Sequence, residues 1–132
     1  MPETPEATVP SLEPHLNAAA TGNVALIEWR TTRIALTDAD QLRTALAALC
    51  PSPVEVVREN GSWSVTVRSL PIAVEATDID TAITAALTAL RTQTHEHRPH
   101  NYGEWVLRQL IHLSDDTQLR EWAITGACIH LY

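Results

Sequence analysis

The chain has 132 residues with 16 acidic and 9 basic side chains, a formal net charge of -7 and a pI near 5.2. This length suits one domain with a single core, and a composition of 45% hydrophobic and 19% charged residues is globular rather than fibrous or membrane-like. The acidic balance disfavours broad contact with nucleic-acid phosphates, which depends on Lys and Arg. A basic protein partner is therefore expected.

The sequence lacks the patterns of a membrane span, a secretory signal and a redox motif. No apolar run reaches the roughly 18 to 20 residues that a membrane span needs. Residues 1–14 lack the basic start and apolar centre of a secretory signal. We therefore expect a cytoplasmic protein. Cys50 and Cys128 lie far apart and form no CxxC pair, so buried thiols are expected rather than a disulfide or redox motif.

The N-terminal part divides into a tail and the start of a folded region. Residues 1–22 are rich in Pro, Glu, Ala and Thr without apolar periodicity, which predicts a disordered acidic tail. From residue 23 to 132 we predict a single α+β domain. The stretch "NVALIEWR" indicates a strand covered on most of both faces, and a turn at Thr31 and Thr32 would lead into a second strand. A helix capped by Thr37 follows.

The clearest local pattern is "VEVVRENGSWSVTVRSL", which begins at residue 54. Asn-Gly tolerates the positive φ angles of a two-residue type I′ turn, so a hairpin is predicted. Its register has an apolar face and a mostly polar face. The pairs predicted on the apolar face are Arg58 with Trp63, Val56 with Val65 and Val54 with Val67.

A strand in "LPIAVEA" and a helix capped by Thr77 complete a hairpin, strand and helix core over residues 54–98. Two further helices, capped by Asn101 and Ser114, form a C-terminal helical pair over residues 100–125. The predicted fold is α+β, with a small antiparallel sheet packed on one face by helices. After Gly126, "ACIHLY" fits either a final strand or an apolar tail.

The densest group of potential metal ligands is formed by His95, His97 and His100, which Cys50 or Cys128 would complete as a tetrahedral site. The same spacing is typical of a solvated polar loop, and no second ligand pair follows at a zinc-finger interval. We therefore predict no metal site and no cofactor.

A cluster of carboxylates, formed by Glu75, Asp78 and Asp80, lies at a strand-to-helix junction and is a second candidate site. Such junctions sometimes carry acid-base or metal-assisted hydrolysis, but helix capping and the helix dipole already account for Asp78 and Asp80. The sequence also has no Gly-rich phosphate loop and no GxSxG motif. We do not expect an enzyme.

Two tryptophans, Trp105 and Trp122, lie on the apolar sides of the C-terminal helices. One interpretation makes them core anchors. The other leaves part of this aromatic surface exposed to dock a partner, because Trp and Arg dominate interface hot spots. Arg108 and Arg120 lie close in sequence and suit the second interpretation.

Two stretches resemble known antitoxins. The run "VEVVRENGSWSVTVRSLPIAVEATDIDTAITAALTAL" resembles the hairpin, Leu-Pro, strand and helix of HicB-like antitoxins, without the Gly-Cys that often follows Leu-Pro there. The run "EWVLRQLIHLSDDTQLREW" resembles a C-terminal motif of small actinobacterial proteins classed with prevent-host-death-like antitoxins of RelB/RelE-type systems. The matching positions are Trp105, Leu107, Gln109, Leu110, Leu113, Ser114, Asp115, Asp116, Gln118, Leu119, Arg120 and Trp122.

The resemblance implies an antitoxin of a type II toxin-antitoxin system that occludes a basic, ribonuclease-like protein toxin. It does not extend to an N-terminal DNA-binding segment, which leaves operator binding open. The residues expected to contact the partner are Trp105, Arg108, Asp115, Asp116, Arg120 and Trp122. The alternatives are a non-catalytic adaptor, which would dimerise through a sheet edge or the C-terminal helices, and a metal-dependent hydrolase that uses His95 and His97.

Overall fold

The computed structural model describes residues 5–68, 70–96 and 99–132. Its elements, in chain order, are α1 (Pro5–Ala20), β1 (Ala25–Trp29), β2 (Thr32–Leu36), α2 (Ala39–Leu49), β3 (Val54–Glu59), β4 (Ser62–Val67), β5 (Ile72–Ala76), α3 (Ile79–Glu96), α4 (Tyr102–Leu113), α5 (Asp116–Thr125) and β6 (Cys128–Leu131). The predicted α+β class is confirmed. We predicted one domain from residue 23, whereas the structure divides into two compact units after Ala45. The physical reason is that the two hairpins belong to separate sheets.

Helix α1 occupies most of the segment for which we predicted a disordered tail. It ends in a Schellman motif, in which Gly22 donates its N–H to the Ala19 carbonyl over 3.1 Å and Asn23 donates to the Ala18 carbonyl over 2.9 Å. Gly22 has a φ of +98°, which glycine adopts without strain. The composition argument overlooked this stop signal, a glycine shortly after three consecutive alanines.

Strands β1 and β2 form a two-stranded antiparallel hairpin. Its turn residues are Arg30 and Thr31, one position earlier than predicted. The prediction that both faces of β1 are covered is wrong, because Leu26 and Trp29 are each 55% exposed. Helix α1 packs against both strands of this hairpin.

The second unit contains a four-stranded sheet in the order β5-β4-β3-β6. Asn60 and Gly61 form the predicted turn between β3 and β4, with φ angles of 54° and 74°. The predicted register is confirmed in every pair, including Val56 with Val65. Alternation along the strands turns Val54 and Val56 of β3 and Val65 and Val67 of β4 towards the core, and Val65 is fully buried.

The sheet is mixed rather than purely antiparallel, because β6 lies parallel to β3. The open question about the residues after Gly126 is therefore decided in favour of a strand. Ile129 pairs with Val56, and Leu131 pairs with Arg58. A parallel partner requires a long crossover, and here the chain from β4 to α5 supplies it.

The helices of the second unit bury one face of this sheet. Helix α3 packs against β4 and β5 and also contacts α4 and α5. Leu90 of α3 and Leu119 of α5 are almost fully buried in the shared core. The predicted C-terminal helical pair is present as α4 and α5. No helix in the described ranges is long and apolar enough to cross a membrane.

Helix starts follow a common rule. Asn101 caps α4 as predicted, with its side chain accepting the Glu104 N–H over 2.8 Å. The predicted caps Thr37, Thr77 and Ser114 are each wrong by one position. The aspartate that follows each of them accepts the N–H three residues further on, from Gln41, Thr81 and Gln118 respectively. A carboxylate also benefits from the positive end of the helix dipole.

Candidate partner-binding surface

The outer side of α4 carries an exposed aromatic pair. Tyr102 and Trp105 lie one helical turn apart, and their rings stack with centroids 6.1 Å apart. Tyr102 is 70% exposed and Trp105 is 43% exposed, whereas Val106 and Leu110 on the other side are buried. The interpretation of Trp105 as a core anchor is therefore wrong. Its indole is available to a partner.

Trp122 has the opposite environment. It is half-buried, packs against the hydrophobic core and donates its indole N–H to the Cys50 carbonyl over 2.9 Å. Its interpretation as a core anchor is confirmed. Burial raises the pKa of the neighbouring Cys50 thiol. The prediction of two buried thiols is wrong for Cys128, which is exposed, and Cys50 is only partly buried.

The acidic residues between α4 and α5, Asp115 and Asp116, are exposed and also form contacts within the fold. Asp115 forms a reciprocal capping box with Gln118. The Asp116 side chain is 97% exposed and meets Arg91 of α3 at 3.0 Å. Both carboxylates therefore have a partner within the fold and also remain exposed to solvent, where they add negative potential to this surface.

Arg91 is a residue that the sequence analysis missed. Besides its ion pair, its guanidinium donates to the carbonyls of Ile111 and Ser114 over 3.1 and 3.0 Å. It therefore satisfies main-chain oxygens at the end of α4, where helical partners are lacking. The only sequence signal is a single arginine next to the apolar stripe of α3, which does not reveal its acceptors.

Arg120 links α5 to α3. Its guanidinium donates to the Thr84 hydroxyl over 3.2 Å and forms an ion pair with Asp80. Asp78 binds the N–H and hydroxyl of Thr81 at 2.9 Å. These contacts account for two members of the acidic cluster considered above, while Glu75 lies exposed on β5.

Two open grooves run beside α3 and share Arg91 and Thr92. The larger has a volume of about 710 Å³ and is lined on the α4 side by Arg108 and His112. The smaller has a volume of about 440 Å³ and includes Arg120 and Asp116. The structure thus separates the six predicted contact residues. Trp105 is in the exposed aromatic pair, Trp122 packs on the core, Asp115 caps α5, and the other three border the grooves.

The histidines do not form a metal site in the part of the chain that the structure describes. His95 lies in the last turn of α3, and His100 donates its main-chain N–H to the Glu104 carboxylate at 2.9 Å. His97 lies outside the described residues. No three His, Cys, Asp or Glu side chains within those residues are placed to hold a metal ion.

Comparison with known proteins gives one informative likeness. No family model matches this chain, and no curated protein matches its sequence. A crystal structure from Syntrophomonas wolfei subsp. wolfei, described as an antitoxin part of a proposed toxin/antitoxin system, is similar in fold. The TM-score is 0.69 at 9% identity, and the match covers 97% of this chain and 96% of that one. The likeness establishes a shared fold.

Proposed function

We propose that this chain is an antitoxin that binds a cognate protein toxin and neutralises it by occlusion in the cytoplasm. The observation that carries the proposal is the shared fold with the Syntrophomonas wolfei antitoxin over nearly the whole of both chains. Resemblance of residues 104–122 to an antitoxin motif supports the same function independently of that fold. Fold alone does not determine function, so the surface residues must supply the mechanism.

The proposed centre of the toxin contact is the exposed aromatic pair Tyr102 and Trp105 on α4. Aromatic side chains lose little conformational entropy on binding and bury a large area, and they dominate interface hot spots. The stacking of the two rings already restricts their rotamers in the free protein. Arg108 lies one turn further along the same helix and extends this contact.

The proposed toxin is a basic, ribonuclease-type protein. The net charge of -7 favours association with a positively charged surface, and RNA-binding surfaces are positively charged. Asp115 and Asp116 present exposed carboxylates at the start of α5. An acidic protein bound over such a surface would exclude RNA by steric and electrostatic occlusion, without catalysis.

Arg120 and Trp122 enter this proposal as positioning residues. Arg120 binds Thr84 and Asp80 of α3, and Trp122 binds the Cys50 carbonyl. Both sets of contacts hold α5 against the rest of the second unit. We expect their replacement to weaken toxin binding through the placement of α5.

Co-expression tests the proposal. The protein encoded by the neighbouring gene is expressed alone and together with this chain, and growth and co-purification are measured. Growth arrest by the neighbour, relieved by this chain in a stable complex, is the expected result. A neighbour that leaves growth unaffected, or one that fails to co-purify, overturns the proposal.

The contact surface has a matched control. The double variant Tyr102→Ala and Trp105→Ala is expected to weaken toxin binding by at least about 30-fold, which corresponds to a hot spot of roughly 2 kcal/mol. Trp29→Ala removes another half-exposed tryptophan, in the first unit, and should leave affinity within about threefold. Equal losses of toxin affinity in the double variant and in Trp29→Ala would mean that the toxin binds at another surface.

The second candidate function is a non-catalytic dimerisation or adaptor domain. The outer edge of β6, which has no strand partner among the residues that the structure describes, is the observation that favours it. A homodimer is compatible with toxin binding, because α4 and β6 are different elements of the same unit.

A further inference from the structure

Strand β6 is an unprotected edge of the four-stranded sheet. All four of its residues are exposed, and β3 is its single strand partner among the residues described. Tyr132, which follows β6, donates its N–H to the Arg58 carbonyl over 3.0 Å. Because main-chain groups alternate along a strand, those of Cys128 and His130 also face β3, and those of Ile129 and Leu131 point outward.

The side chains of the outward-pointing residues are apolar. Ile129 is 50% exposed and Leu131 is 66% exposed, and they lie on the same face of the sheet as Val56. Ile129 also borders an apolar cavity of about 90 Å³ between the sheet, α3 and α5. The core face is therefore incompletely covered at the β6 end.

The usual protections of an edge strand are missing from β6. Natural edges are blocked by proline, by charged side chains, by a bulge or by a covering element. The sequence "CIHL" contains no proline, carboxylate, lysine or arginine, and its pairing with β3 is regular over all four residues. The opposite edge differs, since β5 begins directly after Pro71 and carries Glu75.

We propose that two copies of this chain pair through β6, antiparallel about a two-fold axis at His130, and so join two four-stranded sheets into one. In this register Ile129 of each copy lies opposite Leu131 of the other. Both are outward-pointing residues, so each of the two pairs exchanges two N–H···O bonds. His130 then lies opposite His130 of the second copy, as a pair without main-chain hydrogen bonds.

The chemistry of the strand favours a second copy over a charged partner. An isologous interface must be self-complementary, and this register places apolar against apolar on the core face. Like charges directly opposite destabilise strand pairing, and β6 has no carboxylate or guanidinium to oppose its copy. The Nε2 atom of His130 lies 3.6 Å from the Glu55 carboxylate of its own chain.

Disulfide trapping tests the register. In the full chain with Cys50→Ala and Cys128→Ala, His130→Cys places two cysteines opposite each other at a Cα separation of about 4.5 Å, within disulfide range. Leu131→Cys is the matched control. In the proposed register the two residues at position 131 are offset by two positions along the strands. Their Cα atoms would lie about 8 to 9 Å apart, which is too far for a disulfide.

Mild oxidation is expected to link most of the His130→Cys chain as a dimer and little of the Leu131→Cys chain. Absence of a linked His130→Cys dimer, or equal linking of both variants, overturns the proposed register. Circular dichroism establishes that each variant is folded before oxidation.

Main-chain pairing is tested by proline. Leu131→Pro removes an outward N–H that does not bond to β3, whereas Leu131→Ala keeps it. Light scattering over a dilution series should show a dimer that persists in Leu131→Ala and is lost in Leu131→Pro. A wild-type chain that is monomeric throughout, or a folded proline variant that still dimerises, overturns the proposal.

Discussion

Trp122 donates its indole N–H to the main-chain oxygen of Cys50 over 2.9 Å and thereby joins α5 to the segment that leads into β3. The half-buried ring also packs against the core. The other C-terminal tryptophan, Trp105, stacks on Tyr102 at the surface. The two indoles therefore lie in different environments, one packed against the core and one at the surface.

Replacement of Trp122 by phenylalanine measures the hydrogen bond apart from most of the packing. Trp122→Phe leaves the Cys50 carbonyl without its donor, and we expect a loss of about 1 to 2 kcal/mol in the free energy of unfolding. Urea denaturation followed by circular dichroism measures it. Trp29→Phe, at a half-exposed position, should change stability by less than about 0.5 kcal/mol. Equal changes in the free energy of unfolding in the two variants would show that the hydrogen bond from Trp122 to Cys50 does not stabilise the fold.

Arg91 is expected to matter more than its ion-pair partner. Arg91→Ala removes donors to the Ile111 and Ser114 carbonyls and should lower the free energy of unfolding by roughly 1 to 3 kcal/mol. Asp116→Ala removes only an exposed carboxylate and should change it by less than about 1 kcal/mol. Thermal and urea unfolding of the two variants decide the order. A larger loss in Asp116→Ala would contradict this assignment.

Ser52 is a buried polar residue whose hydroxyl has two hydrogen-bond partners. Its hydroxyl donates to the Ala123 carbonyl over 2.8 Å and accepts the Val54 N–H over 3.2 Å. Ser52→Ala leaves both groups unsatisfied, with an expected loss of about 1 to 3 kcal/mol in urea unfolding. Ser64→Ala, on the more polar face of the hairpin, is the control and should be nearly neutral. Similar stabilities of the two variants would refute a structural role for the Ser52 hydroxyl.

The two cysteines are expected to differ in reactivity. Burial raises the pKa of the Cys50 thiol, and Cys128 is exposed. In single-cysteine variants, Cys128 should therefore react faster with iodoacetamide at neutral pH, and the rate at Cys50 should rise only at higher pH. Mass spectrometry over a pH series measures both rates. Faster alkylation of Cys50 at neutral pH would be inconsistent with its burial.

The same shift has a consequence for stability. A thiol whose pKa is higher in the folded state keeps its proton there after the unfolded chain has lost it. The contribution of this thiol to the free energy of unfolding is fully present below the unfolded-state pKa and is lost as pH rises through the folded-state pKa. In Cys50→Ala, the decline of stability at alkaline pH should be shallower than in the unsubstituted chain. Urea unfolding across the alkaline range measures the difference.

Local chemistry explains which sequence predictions succeeded. Asn60-Gly61 determines a two-residue turn, and the turn determines every pair between β3 and β4. Asn101 and Glu104 lie three residues apart and cap α4 without help from the rest of the fold. The wrong caps have a local cause too. In each Thr-Asp or Ser-Asp pair the aspartate takes the cap, so the helix starts one residue later.

The candidate surface was predicted only in part. The acidic exposure of Asp115 and Asp116 follows from their position at a helix start, and the structure shows it. The roles of Arg91 and Arg120 depend on acceptors 20 to 40 residues away in the chain. The identity of such acceptors is not encoded in any short pattern.

By itself, the sequence determined the α+β class, the hairpin register and the C-terminal helical pair, because these depend on periodicity and on turn and cap residues within a few positions. Only the tertiary structure decided that β6 pairs in parallel with β3, that Trp122 binds Cys50 and that Trp105 stays exposed. Two helical tryptophans have the same local propensity, and the packing of distant segments alone determines which of them is covered.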